Sequence, residues 1–323
     1  MHLPPIIAMH IPDGFLSVPV SVFFWIVSAL LIGYSLKRVK ADLGERQVPM
    51  MGVLAAAIFA GQMLNFAVAG GTSGHLIGAA LATILLGPWA AIVILTCVIS
   101  IQALIFQDGG LVVLGTNIFN MAIVGVTVSY MIYHSIRKLT ANRSWGLYVS
   151  GFAAAWGSVV IASLACALEL SISGTSPANI AIPAMGGIHA LIGIGEGLIT
   201  IGALAFLHAS RREMFAPGAV STKQGGVVWI VGLLFALLLA VASPWASSHP
   251  DGLEWVAEQQ GFLLKAQNPI YNIIPDYSFP GVTNTAAATI IAGLIGTLIV
   301  FIVVLGVAFT RRRKASEVQD QPE

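Results

Sequence analysis

The chain has 323 residues, 57% of them hydrophobic and 9% charged, with a formal net charge of +1. That balance excludes an ordinary soluble globular protein, and without a basic patch interleaved with aromatics it implies no nucleic-acid partner. Its long apolar runs indicate an all-α, polytopic integral membrane protein whose surroundings are membrane lipid.

About 20 apolar residues, rising about 1.5 Å each, cross the hydrocarbon core. In chain order the runs are 18–36, 49–70, 75–87, 88–106, 112–134, 146–168, 180–208, 226–246 and 286–309. The third is short, and Gly87-Pro88 parts it from the fourth. Charge decides whether 75–106 is one span or two, because Lys and Arg mark the cytoplasmic side. They cluster at Lys37, Arg38, Lys40 and Arg46, then at Arg137, Lys138 and Arg143. Further clusters are Arg211, Arg212 and Lys223, then Arg311, Arg312, Arg313 and Lys314. A cytoplasmic turn at Gly87-Pro88 puts all of these on one side and leaves Lys265 alone on the other. A single span over 75–106 would send the Arg137 cluster outward.

The expected topology is therefore about nine transmembrane segments, a seven-span core plus a two-span module, with the N-terminus outside and the C-terminus inside. The short third segment is expected not to cross the full bilayer, since non-helical backbone at depth needs protein or a cavity around it. The linker 209–225 separates a first domain, 9–210, from a second, 226–314, whose outer loop covers 247–285. The polar tail from Ala315 to Glu323 is expected to be disordered. Met1 to Ala8 lack the basic start and long apolar core of a secretory signal.

The chemistry concentrates in Met9-His10-Ile11-Pro12-Asp13-Gly14-Phe15, just before the first run. If Met9 is the first residue, its α-amine, the His10 amide nitrogen and the His10 imidazole close two adjacent chelate rings on one ion. An all-nitrogen, roughly planar set suits Ni(II) or Cu(II) and accepts Co(II). The best source of a fourth nitrogen is His75 in Gly70-Gly71-Thr72-Ser73-Gly74-His75, which opens the third run from the same outer side. Met1-His2 offers the same chelate, but Pro4-Pro5 gives it no obvious docking helix.

Other polar residues have two readings each. Asp13 is a turn former or helix cap, or an acceptor that orients an imidazole. Gln102, Gln107 and Asp108 form an interfacial turn, or a polar lining that holds an inserted N-terminal loop; Asn117 and Asn120 lie toward the same side. His189 and Glu196 are two helical turns apart and face the same way, as a polar helix–helix contact or a metal path. Glu169 reads as interfacial, Cys97 and Cys166 as buried packing residues, and His134, His208 and His249 as surface groups. The chain contains no Gly-Lys pair, hence no phosphate-cradling loop, and no H-E-x-x-H of a metalloprotease.

Together, Met9 to Leu16, Gly74-His75, Phe106-Gln107-Asp108-Gly109-Gly110 and His189 to Glu196 resemble the CbiM/NikM family. These are the substrate-binding membrane components of energy-coupling factor (ECF) transporters for cobalt and nickel, and the likeness covers roughly residues 9–210. It implies a metal held by the Met9 α-amine, the backbone and imidazole nitrogens of His10, and His75. The eight residues ahead of Met9 depart from that pattern and would mask the amine. Pro250-Asp251-Gly252-Leu253-Glu254 and the last span resemble the CbiN/NikN (PDGLE) component, fused here to the first, and imply help in loading the metal.

The resemblance also implies partners, a CbiQ-like transmembrane coupling subunit and CbiO-like cytoplasmic ATPases. The chain itself is then no enzyme, and its place is the inner membrane of a prokaryote. Cobalt(II) or nickel(II) is its transported substrate, feeding cobalamin biosynthesis or nickel enzymes. The competing readings are a stand-alone secondary transporter or channel for divalent metals, which calls for mid-span carboxylates and internal repeats, and a membrane metalloenzyme, which needs an open coordination position and a nearby base. The residues do not separate cobalt from nickel.

Overall fold

The computed structural model describes residues 10–42, 47–210 and 225–319. The first module runs α1 (Val18–Asp42), α2 (Gln47–Gln62), a hairpin of β1 (Phe66–Val68) and β2 (Thr72–Gly74), α3 (Ala79–Leu86) and α4 (Pro88–Ile101). A widened π-helical turn, Gln102–Phe106, continues α4. Then come α5 (Leu114–Ile118), a second π-helical stretch (Phe119–Val124), α6 (Gly125–Leu139), α7 (Ser144–Ile172) and α8 (Ala178–Ser210). The second module has α9 (Gly225–Ala242), the short α10 (Gly252–Gln259) and α11 (Thr285–Gln319).

Apolar helices dominate because lipid leaves every backbone amide to be satisfied within the chain. Among the described residues, six segments are long and apolar enough to cross a membrane: 18–39, 88–106, 114–139, 144–172, 178–209 and 285–311. Two apolar helices, Gln47–Gln62 and Trp229–Trp245, are shorter. The chain is a multi-pass membrane protein.

Two expectations need correction. The fold is not purely α-helical, and the run 49–70 is not one helix. The helix stops at Gln62, and residues 66–68 pair antiparallel with 72–74, Phe66 opposite Gly74. Gly70 and Gly71 make this reversal at φ 83° and 76°, where a side chain would be strained. The short third segment behaves as expected: α3 has 8 residues, so about 12 Å of helix at about 1.5 Å each, well short of a hydrocarbon core of about 30 Å.

The second module packs directly on the first through glycines. A Cβ on Gly52 would lie 2.9 Å from the Leu305 side chain, and one on Gly296 would lie 2.2 Å from Phe59. Missing side chains let the helices approach closely, the usual solution between membrane helices. Phe59 and Phe106 are fully buried at this seam.

Candidate metal centre

His10 begins a docked segment that stays buried although it precedes the first helix: His10 and Ile11 are each 3% exposed and Phe15 is 1% exposed. Asn117 on α5 clamps the next residue from both sides. The Ile11 N–H donates to Asn117 Oδ1 at 3.1 Å, and Asn117 Nδ2 donates to the Ile11 carbonyl at 3.0 Å. The Gly110 N–H donates to the same carbonyl at 2.9 Å. Asp13 holds the opposing loop. Its Oδ1 accepts the N–H groups of Val112 (2.9 Å) and Val113 (3.2 Å), and its Oδ2 accepts that of Leu111 (3.1 Å). Asp13 thus fixes a loop; the carboxylate on the imidazole is Asp108.

His10 Nδ1 lies 3.0 Å from Asp108 Oδ1. Burial alone would lower the His10 pKa, but the Asp108 carboxylate outweighs it and holds the imidazole above its usual value. Burial alone would raise Asp108, and the pull of His10 overcomes it, leaving the carboxyl below its usual range. The other oxygen, Asp108 Oδ2, accepts the Tyr277 hydroxyl at 2.6 Å. Both ring nitrogens of His10 are buried without a hydrogen bond, Nδ1 facing Asp108 as an ion pair. A chelate that uses both the amide nitrogen and the imidazole of His10 closes through Nδ1, the nitrogen that faces Asp108 here.

His75 meets His10 edge to face, with ring centroids 5.5 Å apart and planes at 66°. With imidazole–metal bonds of about 2.0–2.1 Å, that spacing is compatible with both rings on one ion. The backbone after His75 stays non-helical inside the bundle, so its polar groups need partners there. Glu196 on α8 accepts the N–H groups of Ile77 (2.8 Å) and Gly78 (3.0 Å), and Gln62 Nε2 donates to the Ile77 carbonyl at 3.1 Å. Glu196 is therefore a backbone holder. His189, two turns earlier, donates from Nδ1 to the Met185 carbonyl at 2.8 Å.

A cavity of about 80 Å³ lies between these elements, lined by His10, His75, Asn117, Asn120, Cys166, His189 and Asp251 among others. Cys166, expected to be a packing residue, lines this space. Glu169, expected at the interface, is 2% exposed, and its Oε2 accepts from Asn120 Nδ2 at 2.6 Å. Gln107 donates from Nε2 to the Tyr271 carbonyl, and the Gln102 carbonyl accepts the Asp108 N–H at 3.1 Å. Both glutamines thus shape the loop that carries Asp108. Among the described residues no three His, Cys, Asp or Glu side chains group tightly enough to hold a metal by themselves. Met9, the expected source of the amine, lies outside the described residues.

Residues 10–214 match the family described as the cobalt uptake substrate-specific transmembrane region, CbiM, and residues 226–313 match the PDGLE domain. The chain belongs to the CbiM family. It is 39% identical over 306 residues to a putative fused nickel transport protein NikMN of Archaeoglobus fulgidus, covering 94% of this chain and 98% of that one. It is 32% identical over 225 residues to a cobalt transport protein CbiM of Sorangium cellulosum, covering 65% of this chain and all of that one (100%). A crystal structure of a truncated transition metal transporter superposes with a TM-score of 0.55 at 34% identity, covering 62% of this chain and 99% of that one.

In this chain the PDGLE module is seated on the CbiM region at the site itself. The Ser73 N–H donates to the Pro250 carbonyl at 2.8 Å and the Ser73 hydroxyl to the His249 carbonyl at 2.7 Å, extending the edge of the hairpin. His249, expected at the surface, thus lends its backbone to this join. Asp251 caps α10 by accepting the Glu254 N–H at 2.8 Å, and burial pushes its carboxyl up to about 8. The Asp-x-x-Glu spacing of a helix start was a legible signal for that cap. No local signal pointed to Tyr277, since its partner Asp108 is 169 positions away.

Proposed function

We propose that the chain captures Ni(II) or Co(II) from the outer side of a prokaryotic inner membrane, as the substrate-specific component of an ECF-type importer. One observation carries this reading: the His10 and His75 imidazoles meet at one buried cavity, with Asp108 beside His10 Nδ1. An imidazole pair suits late first-row divalent ions. His10 and His75 would supply two nitrogens; the Met9 α-amine and the His10 amide would complete a planar set wherever Met9 is the first residue. Ligand deprotonation accompanies binding. The relatives named for nickel and for cobalt transport support the ion class and leave the choice between them open.

In this reading the basic clusters face the cytoplasm, α2, α3 and α9 complete a nine-segment topology, and a CbiQ-like coupling subunit with CbiO-like ATPases supplies the energy. Equilibrium binding of Ni(II) and Co(II) to the purified chain tests the first step. The wild type should bind one ion, His75→Ala should weaken it at least about 100-fold, from the loss of a metal ligand, and mass analysis should find Met9 at the N-terminus of the binding-competent chain. Unaltered binding by His75→Ala would remove the basis of the proposal. Metal uptake in cells should require the coupling subunits; robust flux without them would favour a stand-alone transporter.

A further inference from the structure

His189 lines the cavity of the metal centre without belonging to the ligand set of His10 and His75. Glu196, two turns on along α8, is taken up by the Ile77 and Gly78 N–H groups. His189 bonds within its own helix, with Nδ1 2.8 Å from the Met185 carbonyl. The Cε1–Nε2 edge of its ring faces the start of α10: a Cβ on Gly252 would lie 2.8 Å from Cε1 and 3.1 Å from Nε2. The same turn of α8 touches both modules. Ile192 would meet a Cβ on Gly252 at 2.7 Å and a Cβ on Gly74 at 2.4 Å. Gly74 directly precedes His75, and Asp251, directly before Gly252, lines the same cavity. This turn therefore bridges from the PDGLE segment to His75, and His189 stands on it.

An ionisable side chain within a membrane bundle is costly, and it commonly marks the route of an ion. A ring that engages a backbone carbonyl through one nitrogen and presents the other is the usual arrangement of a metal-bound histidine. The cavity of about 80 Å³ is several times the about 10–15 Å³ that one water needs, so an ion can lodge there with part of its water shell. Among the described residues no three His, Cys, Asp or Glu side chains group tightly enough to hold a metal. An ion at His189 thus keeps water ligands and is held weakly. A transfer position needs that weakness: strong enough to draw the ion in, weak enough to let it go onward. We propose that His189 is an entry site, where Nε2 takes a partly hydrated late first-row divalent cation beside Gly252 and passes it to His10 and His75. This rests on the reading of those two as the final ligands and adds a second ligand position on the way to them.

A side chain met in transit lowers the barrier in both directions, whereas a final ligand stabilises the end state. His189→Asn removes Nε2 and keeps an amide N–H for the Met185 carbonyl. Binding and release of Ni(II) by the purified full chain, followed by stopped-flow absorbance, should both slow at least about 10-fold, the effect of about 1.4 kcal/mol on a barrier. Kd, the absorption spectrum of bound Ni(II) and the thermal midpoint of the metal-free chain should match wild type. Gly252→Ala leaves the imidazole in place, crowds its Nε2 edge with a methyl group, and should slow both rates as well. Wild-type rates in His189→Asn at an unchanged midpoint would overturn the proposal. So would weaker equilibrium binding with a shifted spectrum, which would make His189 a ligand of the final site. If His189→Asn lowers the midpoint, Gly252→Ala decides alone: slowed loading supports the entry site and wild-type rates overturn it. None of these results touches the metal-capture reading while His75→Ala still weakens binding. Unaltered binding by His75→Ala would overturn that reading and this inference with it.

Discussion

Replacing Asp13 with alanine removes the acceptor for three consecutive N–H groups, Leu111, Val112 and Val113. Val112 is exposed and can take water. Leu111 is partly buried and Val113 fully buried, and each unsatisfied donor costs about 1–3 kcal/mol, toward the lower end where water reaches it. The sum is about 3 kcal/mol against docking of residues 10–17, or about 100-fold in the docked-to-open ratio at about 1.4 kcal/mol per factor of ten. Asp13→Asn keeps Oδ1, with two of the three bonds, and sets an amide N–H₂ against the Leu111 N–H; about 10-fold is expected. Amide hydrogen exchange reports local opening directly. Peptides covering 10–17 and 110–117 should exchange about 100-fold faster in Asp13→Ala and about 10-fold faster in Asp13→Asn, with α7 peptides unchanged. Apparent metal affinity falls only by the fraction of docked chains lost, so it should drop less than the exchange ratio. Wild-type exchange at 110–113 in Asp13→Ala would refute the account of how the N-terminal segment is held.

A Cβ on Gly110 would lie 2.0 Å from Asp13 Oδ1 and 2.3 Å from the Asp13 backbone nitrogen, so Gly110→Ala should undock the segment and abolish Ni(II) binding in the same exchange and binding assays. Full binding by that variant would show that docking is not required. Glu196→Gln leaves one of two N–H groups near His75 facing an amide donor in a fully buried spot; it should destabilise the fold by about 1–3 kcal/mol and lower the thermal midpoint, whereas an unchanged midpoint would contradict the bonding described. For pH, Asp108 holds His10 above its ordinary 6.5 and His10 holds Asp108 below 3.8 in the metal-free protein. His10's share of stability is complete below pH 6.5 and fades as pH rises through its raised value; Asp108's share is present above pH 3.8 and fades as pH falls through its lowered value. Because a metal must displace the His10 proton, Ni(II) affinity should keep climbing with pH beyond 6.5, and Asp108→Asn should move the levelling-off to lower pH. Identical pH profiles for the two proteins would contradict the pairing.

Hydropathy alone located the helices, because twenty-residue apolar runs have few other uses. It failed at 49–70, where averaging smoothed over Asn65 and the Gly70-Gly71 turn, both visible in the sequence. His10, His75, Asp108 and Asn117 were each recognisable as candidates, yet which carboxylate served which group was not. Asp13 and Asp108 swap the roles their positions suggest, because the N-terminal segment folds back so that Asp13 reaches 111–113. Glu196 and His189 share a helix face by spacing, but backbone from the hairpin claims Glu196 first. The holding contacts join residues far apart, Ile77 with Glu196 119 positions on and Asp108 with Tyr277 169 positions on, and periodicity carries no information over such distances. Cys166 looked like an ordinary member of an apolar helix until the cavity beside α7 gave it something to face, and Glu169 read as interfacial until Asn120 gave it a buried partner.

The most direct test of the central claim is an anomalous-scattering map from crystals of the nickel-loaded chain. A single peak within bonding distance of a His10 ring nitrogen and a His75 ring nitrogen is the predicted result. A peak bonded to neither imidazole, or to only one of them, would contradict it.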